Sequence, residues 1–207
     1  MNVKDSIRKR LNKSFAMISL VCSIGLVICG ISLFVISSQY HNTLTNYGFA
    51  QGDIGKAMTT FSEARSSLRA VIGYTDMNEI ADEQKDYETK KSAFEGYMAD
   101  VEKTIVTKAG KDAYAQVESA LNGYWTKADS ILKQGATTDN GASGAAQKKE
   151  IEELLPMYDN VYAALKNIMD INVTKGDEVQ NTLNVLMYIL IVLVVAIIAF
   201  SVYMSTH

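Results

Sequence analysis

The 207-residue sequence predicts an all-α protein: an extracytoplasmic antiparallel four-helix bundle flanked by two transmembrane helices. Three observations predict it. Two long stretches are uncharged and apolar enough to span a bilayer. Between them, apolar residues recur at heptad spacing, with no sustained strand-like alternation. The whole chain holds a single proline.

Residues 1–13 form a basic, cytoplasmic N-terminus. Lys4, Arg8, Lys9, Arg10 and Lys13 against Asp5 give this segment +4, and clustered basic residues beside a span mark its cytoplasmic side. Residues 14–37 are the first transmembrane helix. Its apolar run, "FAMISLVCSIGLVICGISLFVIS", exceeds a signal-peptide core, and "SSQYHNTLT" after it offers no small-residue cleavage site, so an uncleaved anchor is expected. Both cysteines, Cys22 and Cys29, lie in this span, so no disulfide staples the exported section. Two readings stand for them: small apolar packing residues, or close helix contact across a dimer together with Ser23, Gly25 and Gly30.

Residues 38–182 are the exported bundle. The first helix carries Tyr47, Ile54, Phe61 and Leu68 every seven residues, followed three later by Ala50, Ala57, Ala64 and Val71; the alanines leave a narrow groove for a close neighbour. The second carries Tyr87, Phe94, Met98, Val101 and Ile105. The third carries Tyr114, Val117, Leu121, Tyr124, Ala128 and Ile131. The fourth carries Ile151, Leu154, Tyr158, Val161, Leu165 and Ile168. "GYTDMNE" separates the first two helices, with Asp76 or Asn78 as cap of the second. "TKAGKD" turns around Gly110. "QGATTDNGASGA", Gln134 to Ala145, reads as a loop. Short connections imply antiparallel neighbours. Pro156 removes a backbone bond inside the fourth helix and predicts a kink there.

Residues 183–204 are the second transmembrane helix, and 205–207 begin the cytoplasmic region on its far side. No breaker separates the first span from the first bundle helix, and only Gly176 interrupts the run from the fourth into the second span, so helices continuous with both spans are expected. Asn172 and Lys175 fall on inward positions of the last heptads. They fit either a helix that must slide or rotate or a solvated splay above the membrane.

The net charge of −3 hides an exported section with 15 basic against 22 acidic residues. No nucleic acid partner is expected. No Gly-rich phosphate loop, nucleophile elbow or paired-carboxylate cleft is visible, so no enzyme, cofactor or metal site is expected. His41 stands near the membrane with Tyr40 and Tyr47 and reads as part of an interfacial belt. Trp125 reads as core or bundle surface, or as an aromatic ligand platform. The candidate site lies in "FSEARSSLRAVIGY", Phe61 to Tyr74. Arg65 and Arg69 stand one above the other beside the packing seam, with Ser62 and Ser66 on the same side. Arg65 is expected to be partly buried and to need an anion. That anion is either an acidic residue of helix two or four or a ligand carboxylate.

The plan resembles the sensory half of bacterial methyl-accepting chemotaxis receptors. The resemblance covers the chain and rests on the basic N-terminus, the uncleaved span, the helical exported domain, "ARSSLRAVIGY" and "LLPMYDNVYAALKNIMDINVTKGDEV". It implies a homodimer in the plasma membrane with the N-terminus inside. It implies a small, possibly carboxylate, ligand at Arg65, Arg69, Ser62 and Ser66, or a binding protein docked on the bundle. A shift of the last helix would carry the signal to a cytoplasmic HAMP module and a kinase-controlling coiled coil. Those output parts are absent here, so kinase coupling would need downstream domains. The family pattern's third arginine is Thr60 in this chain. With no basic residue after the second span, the chain is expected to stop at the HAMP boundary, as a fragment or a truncated product. The competing reading is a two-span structural or interaction protein, or a decoy partner of full-length receptors.

Overall fold

The computed structural model describes residues 3–206; the side chains of Lys4 and Asp5 in the basic N-terminus, and His207 of segment 205–207, lie outside the described residues. Among the described residues there are helices and turns and no strand. The chain divides into two compact units, Leu44–Gly176 and the pair Met1–Thr43 with Asp177–His207.

Helix α1 (Val3–Thr43) belongs to the second unit; the first unit begins with a π turn (Leu44–Phe49) that leads into α2 (Ala50–Val71). Then come α3 (Met77–Thr104), α4 (Lys108–Leu121), α5 (Tyr124–Gly135) and α6 (Asn140–Lys149). A second π turn (Glu150–Leu154) leads into α7 (Leu155–Thr206). Four rods result: α2, α3, α4 with α5, and α6 with the start of α7. The alanine seam does what its size allows. Ala50, Ala57 and Ala64 are fully buried, and α3 packs extensively along α2.

An aromatic layer ties the rods together. The Phe61 ring lies 5.3 Å from Phe94, 4.8 Å from Tyr124 and 5.1 Å from Tyr158, so α3, α5 and α7 all meet α2 at one level. Burying rings of this size stabilises by about 2 kcal/mol or more each.

Asp76 caps α3 by accepting from the amides of Asn78 and Glu79. Thr107 caps α4 through the Gly110 amide, and Asp139 caps α6 through Ala142. Three expectations need correction. The third rod is not one helix: Asn122–Gly123 breaks it, with Gly123 at φ 81°, a left-handed conformation that glycine adopts without Cβ strain. The loop expected over 134–145 shrinks to 136–139, because Gly135 and Ser143 are buried and α6 begins at Asn140. Ser143 and Gln147 both donate to the Ile72 carbonyl, at 2.5 and 2.8 Å, and so tie α6 to the end of α2.

The third correction concerns register. Ile151, expected in the core, is 60% exposed, while Glu150 is 2% exposed. A π turn has a wider pitch than an α turn, so from Glu150 to Leu154 four residues return to one face. Pro156 explains the location. It cannot donate to the preceding turn, and its ring crowds the carbonyl four residues back. At Pro156 the described feature is this π turn. Asn172 is buried at 9%, in an inward position.

In the second unit, α1 packs on the distal part of α7. Gly25 is buried, and a Cβ there would collide with Ile197. The Cys22 thiol lies 3.6 Å from the Ser201 hydroxyl, and both cysteines are half-buried and free. Large apolar side chains face outward, Phe34 at 76% and Val192 at 68% exposure. Two helices, Arg8–Val71 and Asn140–Ser205, are long and apolar enough to cross a membrane.

Candidate functional site

The four predicted site residues share the second half of α2, but the structure sends them to different places. Arg65 is turned into the bundle. Its Nε and Nη2 lie 2.8 and 2.7 Å from one oxygen of Glu150, and its guanidinium sits 4.6 Å from the Tyr158 ring centroid. The side chains are 17% and 3% exposed. Burial leaves little water to screen the pair, and the planar guanidinium suits both the carboxylate and the ring face. The aromatic layer and this ion pair adjoin one another. Burial pushes the Tyr124 hydroxyl well above its usual range, and the Arg65 charge opposes that shift.

Ser62 is half-buried beside this cluster. Its hydroxyl donates to the Met58 carbonyl at 2.9 Å and lies 2.8 Å from the Tyr158 hydroxyl. Ser62 and Ser66 line an open groove of about 350 Å³, together with Met58, Thr59 and Glu63 of α2 and Tyr162 of α7. Glu63 is held by Lys90 at 2.9 Å. Ser66 and Arg69 are exposed, Arg69 three residues beyond the groove's last serine. No side-chain partner is found for Arg69 among the described residues. So the structure brings Ser62 and Ser66 to one groove, leaves Arg69 beyond its upper end, and commits Arg65 to Glu150.

Glu150 and Tyr162 were missed as site residues. The signal for Glu150 lay in "EIEELLP", where a proline follows five residues after an isoleucine expected in the core. For Tyr162 the pattern gave no signal, since it occupies no seam position.

A family model described as a four helix bundle sensory module for signal transduction matches residues 2–187. The chain belongs to this family. The match takes in the first apolar span, all four rods and the start of the second span, so the expected likeness to the sensory half of chemotaxis receptors holds. No curated protein matches the chain. In this sensory module the π turn and the Arg65–Glu150 pair place a buried charge at the aromatic layer, where α2, α5 and the fourth rod meet.

Proposed function

We propose that the chain is the input module of a transmembrane chemoreceptor. It binds a small molecule on the exported bundle and passes that event through the second span to cytoplasmic signalling parts. The observation that carries this reading is α7. One unbroken helix holds the core residues Val161, Leu165 and Ile168 and the apolar stretch 183–204. A displacement at one end of a helix is felt at the other, because its backbone bonds are all internal.

On this reading the module is a homodimer in the plasma membrane with its basic N-terminus inside. The ligand is a small carboxylate taken by Arg69 with the hydroxyls of Ser66 and Ser62. It competes with Glu150 for Arg65, so that binding unlocks the fourth rod.

The test joins residues 1–204 to a chemoreceptor signalling half and reads kinase output in membranes while small mono- and dicarboxylates are supplied. One of them should shift the output, and Arg69→Ala should abolish that shift without loss of helicity. A second arm needs no ligand. Moving Tyr203, near the end of the apolar stretch 183–204, one turn along the helix should bias the basal output, because aromatic anchors set a span's depth. Output indifferent to every carboxylate and to the Tyr203 shift would sink the reading and favour a structural or decoy role.

A further inference from the structure

A larger groove lies on the other side of the bundle, between α3 and the α4–α5 rod. Its volume is about 660 Å³, within the roughly 300–1,000 Å³ typical of small-molecule sites. Its apolar lining is Phe94, Met98, Leu121 and the half-buried Trp125. Its charged lining is of one sign: Glu95 and Glu102 from α3 and Glu118 from α4. None of these three carboxylates has an ion-pair or hydrogen-bond partner among the described residues. They differ in this from Glu63, Glu150 and Glu153, each of which is paired with a basic residue.

Glu102 of α3 and Glu118 of α4 line the groove from its two sides. Tyr114 donates to the Met98 carbonyl at 3.3 Å, and after burial it is these two carboxylates that hold its hydroxyl above the usual range. Like charges across a cleft repel, though these carboxylates are exposed to solvent. A cation between them removes it. Outside the groove lining, the Lys91 ammonium lies 5.4 Å from the Trp125 ring centroid and is paired with Asp129 at 2.9 Å, so this ring already has a cation beside it. Indole is the strongest of the aromatic faces for cations.

We propose that this groove binds a small organic cation, an amine carrying an aryl or alkyl body. The body lies on Met98, Leu121 and Trp125, and the ammonium sits between Glu102 and Glu118. This goes beyond the sensory reading, and its test reads binding alone.

Trp125 is the single tryptophan of the chain, so its fluorescence reports the groove directly. The full chain in lipid nanodiscs is titrated with phenethylammonium, with its neutral alcohol isostere and phenylacetate as comparisons. The amine should change the emission saturably while the alcohol and the acid do not. The double variant Glu102→Gln/Glu118→Gln should keep its helical circular dichroism and bind the amine about tenfold or more weakly. Absence of a saturable change overturns the proposal. So does an equal response to the alcohol, which would mean a plain apolar crevice, or undiminished affinity in the double variant.

Discussion

At the scale of single residues, the Arg65–Glu150 pair is the most consequential contact in the bundle. A buried ion pair gains little over a well-packed apolar pair, yet removing one partner strands the other. Here Glu150 is the more deeply buried member, at 3% side-chain exposure against 17% for Arg65. Arg65→Ala is therefore expected to cost about 3 kcal/mol, measured by denaturant unfolding of the solubilised chain. The double variant Arg65→Met/Glu150→Leu should recover most of that loss. A double variant no more stable than Arg65→Ala would mean that the guanidinium's packing on Tyr158, rather than its charge, supports the site. Tyr158→Phe removes only the hydroxyl that meets Ser62 at 2.8 Å. It should cost about 1 kcal/mol in the same measurement. Partial burial of Arg65 was legible from its place beside the seam. The identity of its partner was not, because that depended on a register one residue away from the apparent one.

At the scale of elements, that register shows where a periodic reading fails. The series Leu154, Val161, Leu165 and Ile168 is buried as its spacing requires. Extending it backwards by heptads lands on Ile151, an apolar residue, so the pattern offers no warning. The π turn intervenes and puts Glu150 inside instead. The loop over 134–145 failed for a related reason. Its Gly, Ser and Thr content suggests a loop, but Gly, Ser and Ala are also what a close helix crossing demands. A Cβ at Gly135 would lie 2.5 Å from Ile72 Cγ2 and 2.7 Å from Ala146 Cβ. Such approaches leave no room for even one methyl group in a packed interior. Gly135→Ala, a favourable exchange in an open helix, is thus expected to destabilise by about 1–3 kcal/mol, read as a lower unfolding midpoint. A midpoint unchanged or raised would show that the α2, α5 and α6 crossing relaxes freely.

At the scale of the whole molecule, the class was legible because charge and spacing carry it. Runs without charge mark the spans, and heptads mark the rods. The two grooves were not legible. Nothing in the spacing of Glu95, Glu102 and Glu118 singles them out, and only the approach of α4 to α3 makes them the rim of a groove. The way the rods are joined also has a consequence for pH. Tyr87 is held above its ordinary 10.0 first by burial and then by the hydrogen bond it donates to Asp129 at 2.7 Å; Tyr124 is held above it mainly by burial. Both keep their protons in the folded chain after the unfolded chain has lost them. Above pH 10 the unfolded state then binds fewer protons than the folded state, so stability falls as pH rises. Below that value neither tyrosine contributes a pH dependence. Because the aromatic layer is shared by all four rods, the loss should appear as one cooperative alkaline transition in helical circular dichroism. Tyr124→Phe, which leaves the ring in place, should move that transition to higher pH. Melting rod by rod, or a transition unmoved by Tyr124→Phe, would mean that the layer does not couple the bundle.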